Sequence, residues 1–272
     1  MSLQGKTIFI SGSTRGIGRA MALHFAADGA NLIITGKTDQ PHPKLEGTIH
    51  SVADEVKAAG GNALALCLDV RDDEAIQAAV KQAAEHFGGI DVLINNASAI
   101  SLTPTLATKM KRFDLLFEVN VRATFALSQA CIPHLQRASN PHILNLAPPL
   151  NMKPKWFKNH VAYSYTKYGM SVCTLGMAAE FADDGIAVNS LWPKTTIATA
   201  AVKYNFPPEI YAASRTPQIM ADAAHRIITT PSRELTGQFL LDEDWLAQHG
   251  MEDFSHYMQD PSKKPIPDFY ID

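Results

Sequence analysis

The first two thirds of the sequence alternate short apolar segments with longer segments of helical periodicity, and this order restricts the fold more than any other feature. The short segments are β-branched or rich in leucine and isoleucine and are apolar on both faces, which is typical of buried strands in a parallel sheet. In chain order, the predicted strands are Thr7–Ser11, Asn31–Thr35, Asn62–Leu68, Val92–Asn95, His142–Leu146, Ala187–Leu191 and Gln238–Leu241.

Helical patterns separate these strands, and in chain order they are Gly16–Ala27, Ser51–Ala59, Glu74–Phe87, Lys111–Arg137 and His160–Phe181. Strand–helix alternation implies right-handed crossovers, which place helices on both faces of one sheet. We therefore predict an α/β protein of the Rossmann type, with a doubly wound parallel sheet of about seven strands. No repeat or linker divides the chain, so residues 1–272 are predicted to form one domain, with 246–272 as an extension over its surface.

Composition argues against several functional classes. The chain carries 24 basic and 27 acidic residues, for a net charge of −3, without a dense basic run, so we expect no binding of nucleic acid. No apolar run approaches the roughly 18 residues that cross a bilayer, and the N-terminus lacks a signal-peptide pattern. We accordingly expect no membrane insertion and a cytoplasmic location. No Cys/His spacing predicts a metal site.

A glycine-rich loop joins the first predicted strand to the first predicted helix, with the spacing Gly-x-x-x-Gly-x-Gly. Glycines permit a tight turn and close approach of the backbone to a pyrophosphate, and the helix N-terminus presents free N–H groups to it. The alternative is a strand–helix turn that binds nothing. The predicted cofactor contacts in this loop are Gly12, Ser13, Thr14, Arg15, Gly16, Ile17 and Gly18.

The end of the second predicted strand indicates which dinucleotide binds. A site for NAD(H) usually has an acidic residue there, which accepts from the ribose 2′-hydroxyl. This chain has Gly36 followed by Lys37, and Arg15 lies in the glycine loop. Two cations can hold a 2′-phosphate, so we predict NADP(H) over NAD(H). The alternative is that Arg15 and Lys37 are solvated surface charges.

Tyr163 and Lys167 are four residues apart in a helical pattern and therefore share one helix face. A cation beside a phenol favours the phenolate and lowers its pKa toward working pH. Such a phenol can exchange a proton with an alcohol or carbonyl oxygen. Taken alone, the pair also fits two residues on a solvated helix face.

Together, the glycine loop, the strand order and the Tyr163/Lys167 pair resemble the short-chain dehydrogenase/reductase family, from about residue 6 to residue 241. The resemblance implies that Asn120 helps to position Lys167 through water. It also implies further cofactor contacts, which are Asp69 near the adenine, Asn96 and Ala97 after the fourth strand, and Pro193, Ile197 and Thr199 on the nicotinamide side. Tyr163 and Lys167 are implied to contact the cofactor as well.

The activity that the resemblance implies is NADP(H)-dependent interconversion of an alcohol and a ketone or aldehyde, with Tyr163 as general acid/base. The family also implies a homodimer or homotetramer. One expected part is missing, because the place of the family's catalytic serine is held by Ala147, Pro148 or Leu150, depending on the alignment. Asn151 is one candidate to supply the lost hydrogen bond. The alternative is a non-catalytic NADP(H)-binding sensor or lipid-binding protein.

Bulky apolar residues predict the substrate class. They occur in the loop before the Tyr163 helix and again in 200–216. Apolar and aromatic walls favour a small lipophilic carbonyl compound or alcohol. Packing of these residues into the core beneath a long loop is an equal alternative.

Overall fold

The computed structural model describes residues 1–42 and 46–272. Its centre is a parallel sheet of seven strands in the order β3-β2-β1-β4-β5-β6-β7. The strands are β1 (Thr7–Ile10), β2 (Asn31–Gly36), β3 (Asn62–Cys67), β4 (Val92–Asn95), β5 (His142–Asn145), β6 (Ala187–Trp192) and β7 (Phe239–Leu241). The predicted α/β fold, with a doubly wound parallel sheet, is confirmed.

The helices are α1 (Gly16–Ala27), α2 (Ile49–Ala58), α3 (Asp73–Phe87), α4 (Met110–Leu116), α5 (Ala123–Leu135), α6 (Val161–Glu180), α7 (Ala200–Asn205), α8 (Pro208–Ala212), α9 (Gln218–Thr229) and α10 (Asp242–Gln248). The predicted helix at 111–137 is interrupted by a π-helical turn at Phe117–Arg122, which joins α4 to α5. Turns of this kind occur frequently at functional sites.

Apolar side chains cover the sheet on both faces. Met21 of α1 and Ile227 of α9 pack on one face, where they are fully buried. Val80 of α3 and Leu127 of α5 pack on the other. Burial on both sides explains why the strand sequences are apolar throughout rather than alternating.

The site is positioned by a reversal of the strand order. The chain winds outward from β1 to β3, and then returns to place β4 on the other side of β1. The chain consequently leaves β1 and β4 toward opposite faces of the sheet, and a crevice lies at the carboxyl ends of these strands. Open α/β sheets bind their ligands at such a point.

The segment 246–272 is more buried than we expected from the sequence, which predicted an extension over the surface. Tyr257 and Tyr270 are each only 1% exposed. The last part, residues 266–272, crosses the carboxyl edge of the sheet, and we call it the C-terminal strap. It is held there by the N–H of Thr196, which donates to the carbonyl of Ile266 at 2.9 Å.

Two further properties concern the described residues only. None of the helices in 1–42 and 46–272 is both long and apolar enough to cross a membrane. In the same residues, His, Cys, Asp and Glu side chains do not converge in groups of three or more that could hold a metal ion.

Candidate active site

The glycine loop after β1 has the conformation that its sequence predicts. Gly12 and Gly16 have φ angles of 69° and 54°, in the left-handed region that favours glycine. A Cβ atom on Gly18 would lie 2.6 Å from the amide nitrogen of Asn96 and 2.6 Å from the carbonyl oxygen of Gly12. Arg15 occupies the N-cap of α1 without a capping side-chain hydrogen bond, so the first N–H groups of the helix remain available to an anion.

The side chains of Ser13 and Thr14 shape this loop from inside the protein. The hydroxyl of Ser13 accepts a hydrogen bond from the backbone N–H of Thr35 at 2.9 Å. Thr14 packs against Gly36, where a Cβ would come within 2.8 Å of the Thr14 methyl group. Because both side chains are buried, the backbone of the loop is left to contact a ligand.

Asn96 and Ala97 fix the same loop from the carboxyl end of β4. The Asn96 side chain donates to the carbonyl oxygens of Ser11 at 3.0 Å and Gly12 at 2.8 Å. The Ser11 hydroxyl in turn accepts the backbone N–H groups of Asn96 and Ala97, both at 3.0 Å. The structure thus brings these predicted site residues together with the glycine loop.

The predicted cations lie at the end of β2. The guanidinium of Arg15 donates to the hydroxyl of Thr38 at 2.8 Å, beside Lys37. Lys37 is exposed but forms an ion pair of 3.0 Å with Asp69. Asp69 also binds Arg71 at 2.6 Å, and the two cations hold the pKa of its carboxyl well below the usual range. Sequence reasoning missed the Lys37–Asp69 pair because the partners follow two different strands, β2 and β3.

Lys167 is 2% exposed, and its ammonium donates to the carbonyl oxygen of Leu146 at 2.6 Å. Burial lowers the pKa of Lys167 to about 7, while the charge of Asp268 opposes the change. Tyr163 is 6% exposed on the same helix. Burial raises the pKa of the Tyr163 phenol well above 10, and Tyr270 and Asp268 add to the increase.

The sequence-based expectation for the Tyr163 pKa was therefore wrong for this structure. It assumed that a neighbouring cation dominates, whereas desolvation of the phenolate is the largest cause of the change. The raised pKa keeps Tyr163 protonated at neutral pH, which suits a proton donor better than a proton acceptor.

Asn120 lies in the π-helical turn and is fully buried. Its carboxamide accepts the N–H of Ala99 at 2.8 Å and donates to the carbonyl of Ala99 at 3.0 Å. It also donates to the hydroxyl of Thr166, next to Lys167, at 3.0 Å. Through its side chain, Asn120 joins the loop after β4 to α6 rather than contacting Lys167 directly, and its positioning of Lys167 through water stays a prediction.

A cavity of about 430 Å³ opens above these residues. Its walls are mainly apolar and aromatic, and Tyr163 and Lys167 lie in the lining. The predicted cofactor residues that line it are Ile17, Asn96, Pro193, Ile197 and Thr199, and the other lining residues include Ser98, Trp156, Trp192, Thr196, Phe206, Ile210, Ile266 and Asp268. Lys37 and Asp69 lie outside it, at the β2 side of the glycine loop.

Comparison with known proteins agrees with this geometry. The profile of the short chain dehydrogenases matches residues 6–209. The chain belongs to the short-chain dehydrogenase family. It is 55% identical over 270 residues to hydroxysteroid dehydrogenase-like protein 2 of Danio rerio, covering 99% of this chain but 65% of that relative. The chain thus spans less than two thirds of the relative's length.

Solved structures of short-chain dehydrogenases share the fold. A short chain dehydrogenase from Mycobacterium thermoresistibile is 48% identical, with a TM-score of 0.94, and the match covers 100% of this chain and 96% of that one. A metagenomic short-chain oxidoreductase in complex with NADP is 25% identical, with a TM-score of 0.74, over 89% of this chain and 98% of that one. Family membership supports oxidation and reduction with NAD(P).

The chain lacks a side-chain donor where the family's serine is expected. Ala147 and Pro148 are buried and Leu150 is exposed, and none of them carries a polar group. The Asn151 amide does not replace the serine. It donates to the carbonyl of Tyr270 at 3.2 Å and to the carboxylate of Asp272 at 2.9 Å, away from the cavity.

Sequence reasoning also missed the residues that the C-terminal strap adds to the site. Ile266, Pro267, Asp268 and Phe269 line the cavity although they lie about 100 residues after Tyr163. The sequence around them is polar and proline-containing, without strand or helix periodicity. The local signal was a short apolar cluster, Phe269, Tyr270 and Ile271, at the end of a largely polar segment.

Proposed function

We propose that this protein is an NADP(H)-dependent oxidoreductase that interconverts a lipophilic alcohol and the corresponding ketone or aldehyde. One observation carries the proposal: Tyr163 and Lys167 line a single apolar cavity, and that cavity reaches the glycine loop through Ile17 and Asn96. A phenol and an ammonium in such a space can serve proton transfer at an oxygen atom next to a dinucleotide.

The proposed roles follow from the burial and the contacts of each side chain. The cofactor would supply or accept the hydride. Tyr163, protonated at neutral pH, would give its proton to the carbonyl oxygen during reduction and recover it during oxidation. Lys167 titrates near pH 7, and its charged form would stabilise negative charge on the phenol or the substrate oxygen.

The preference for NADP(H) is supported by Arg15 and by the end of β2. The Arg15 guanidinium is held over this strand end by Thr38, and Gly36 offers no carboxylate to a ribose 2′-hydroxyl. The pairing of Lys37 with Asp69 makes Arg15 the principal cation for a 2′-phosphate. Binding titrations test the preference, and tighter binding of NADH than of NADPH would refute it.

The substrate class follows from the cavity wall. Trp156, Trp192, Phe206 and Ile210 present apolar surface, and the strap adds Phe269. Such a wall lowers the free energy of an apolar molecule by removing it from water. Turnover of small polar carbonyl compounds without turnover of lipophilic ones would contradict this assignment.

The decisive experiment measures NADPH oxidation with a panel of lipophilic ketones and aldehydes. Replacement of Tyr163 by phenylalanine should lower turnover by about 10²–10⁴-fold, because it removes the proton donor and preserves the ring. Tyr168→Phe is the matched control. Tyr168 lies on the same helix, but its hydroxyl donates to the carbonyl of Asn151 outside the cavity lining.

A non-catalytic NADP(H)-binding protein is the second candidate, favoured by the apolar residues in the place of the serine. It predicts cofactor binding without turnover across the panel. It also predicts that Tyr163→Phe changes neither binding nor any measurable rate. Activity that disappears in Tyr163→Phe and survives in Tyr168→Phe would exclude it.

Assembly as a homodimer or homotetramer, in the cytoplasm, belongs to the same proposal. Side chains on α5 and α6 support self-association, because Phe125, Val172 and Leu175 are large, apolar and at least half exposed. Tyr168 and Met170, by contrast, are buried and serve the core. Light scattering on wild type and on Val172→Glu tests the assembly, and a monomeric wild type would contradict it.

A further inference from the structure

The active site contains a titratable group that the expected constellation does not use. Asp268 of the C-terminal strap lines the same cavity as Tyr163 and Lys167. Its charge influences the pKa values of both residues, so the three groups form one electrostatic unit.

The position of Asp268 is built by several contacts. Its backbone N–H donates to the carbonyl of Lys194 at 3.1 Å, and the neighbouring Pro267 bridges to Thr195 as an antiparallel partner. On its other side, the carbonyl of Phe269 accepts the indole N–H of Trp192 at 2.9 Å. These bonds fix the backbone on both sides of Asp268 and thereby hold its carboxyl group in place.

Three of the other polar side chains that line the cavity already use their donors. Asn96 donates both amide hydrogens to the glycine loop, and Ser98 donates to Asn120 at 3.2 Å. Thr196 donates to Ser214 at 2.8 Å, since the proton of Ser214 goes to the carbonyl of Ile210.

The remaining cavity-lining donors are poorly placed for the substrate oxygen. Thr199 packs against Gly16, at the glycine-loop end of the cavity. The indole nitrogen of Trp156 has no partner among the described residues, but it is buried and not open to the cavity.

One oxygen of the Asp268 carboxyl accepts the N–H of Phe269 at 2.6 Å, and the other takes no part in the hydrogen bonds of the described residues. Burial raises the pKa of Asp268 to about 7, while the Phe269 N–H and the charge of Lys167 oppose the increase. Besides Tyr163 and Lys167, the ionisable group that faces it is Tyr270, and His160 lies behind the ring of Phe269. Desolvation thus shifts this carboxyl toward its protonated form, in which the free oxygen can donate.

We infer that Asp268 is a further catalytic residue, which in its protonated form donates the hydrogen bond to the substrate oxygen that residues 147–150 cannot supply. The inference rests on the proposed oxidoreductase function. The carboxylic acid keeps its proton throughout, and the proton that is transferred comes from Tyr163. Neutral carboxylic acids act as such donors where an apolar site raises their pKa.

Two replacements of Asp268 test the inference. Asp268→Ala removes the donor and should lower kcat by about 10²–10³-fold. Asp268→Asn keeps a donor of the same shape and should retain most of the wild-type kcat. Both variants should bind NADPH with nearly wild-type affinity, measured by fluorescence titration, because Asp268 is assigned to the substrate.

Asp272→Asn controls for the removal of a negative charge elsewhere in the strap. Asp272 pairs with Lys153 and Lys155 at the surface, at 2.7 and 2.8 Å, and does not line the cavity. Exposed pairs contribute little to stability, so its kcat should stay within about threefold of wild type. An equal loss in Asp272→Asn and Asp268→Ala would assign the effect to the strap and overturn the inference.

Carbon-13 NMR of labelled aspartate supplies a readout that does not depend on turnover. The carboxyl signal that is absent from the Asp268→Asn spectrum should titrate near pH 7 in the wild type. A midpoint near the ordinary value of about 4 would overturn the inference.

The kinetic outcomes separate the two proposals. Wild-type kcat in Asp268→Ala, or a loss caused by Trp156→Phe instead, would overturn the role of Asp268 and leave the oxidoreductase intact. A wild type without turnover on the whole panel would overturn the proposed function, and the donor role with it.

Discussion

The side-chain amide of Asn96 donates a hydrogen bond to the carbonyl oxygen of Gly12 at 2.8 Å and thereby ties the loop after β4 to the loop after β1. A second bond, to the carbonyl of Ser11 at 3.0 Å, uses the remaining amide hydrogen. The two loops flank the crevice of the sheet, so this one side chain sets the shape of the glycine loop before any cofactor arrives.

Asn96→Ala should therefore weaken both the fold and the cofactor site. Loss of the donor leaves two carbonyl groups without their partner, which costs about 1–3 kcal/mol of unfolding free energy. The affinity for NADPH should fall by about tenfold or more because the loop is no longer held in its binding conformation. Urea unfolding and a fluorescence titration measure the two effects. Asn62→Ala, which removes an exposed amide bond to Asn31, is the control and should leave NADPH binding unchanged.

Local sequence patterns were sufficient to predict most of the fold and the glycine loop. A buried strand is recognisable from a few consecutive apolar residues, and the loop from Gly12, Gly16 and Gly18 at its fixed position before a helix. Both signals lie within short stretches of chain. Parallel pairing and crossover handedness then leave few arrangements of the sheet.

The features of the site that could not be predicted from the sequence depend on contacts between distant segments of the chain. Asp268 reaches the cavity because Thr196 bonds Ile266, a pairing that has no local signature. The Tyr163 pKa depends on the balance between desolvation and the nearby charges, which only the folded geometry fixes. The same holds for Asn151, whose amide is taken by Tyr270 and Asp272 rather than by the cavity.

Arg15→Gln should separate the two dinucleotides. If the guanidinium binds the 2′-phosphate, the dissociation constant of NADPH should rise by about tenfold, or about 1.4 kcal/mol, and that of NADH should change much less. Arg19→Gln is the matched control, because Arg19 lies one turn later and pairs with Glu55 at 2.6 Å. Equal losses for both dinucleotides would show that Arg15 acts on loop shape or on the pyrophosphate instead.

The partly buried carboxyl of Asp268 makes stability depend on pH with a definite sign. Its folded pKa of about 7 lies above the ordinary value of 3.8, so folding takes up a proton between these limits. Its contribution to stability is present below about pH 4 and is lost as the pH rises through 7. Asp268→Asn stays neutral and should be more stable than wild type at pH 8, by about 2 kcal/mol, and equal to it near pH 4.

Chemical unfolding at a series of pH values measures this difference. The gain is smaller than the full pKa change implies, because Asp268 is partly exposed and water screens its charge. Asp260→Asn changes an exposed carboxylate that binds Ser262, and it should show no gain at pH 8. A constant difference between wild type and Asp268→Asn from pH 4 to 8 would contradict the raised pKa of Asp268.

Tyr270 anchors the C-terminal strap, and its removal should open the cavity. Its ring is 1% exposed and packs between Trp156, Tyr168 and Trp192. Tyr270→Ala should reduce the unfolding free energy by about 3–5 kcal/mol, as expected for loss of a large buried aromatic side chain. The proton of Ser164 goes to the carbonyl of Trp156, so the Tyr270 hydroxyl donates to Ser164 at 3.1 Å, and Tyr270→Phe should cost only about 1 kcal/mol. Urea unfolding compares the two variants, and similar losses in both would show that the strap is held by the hydroxyl rather than by the packing of the ring.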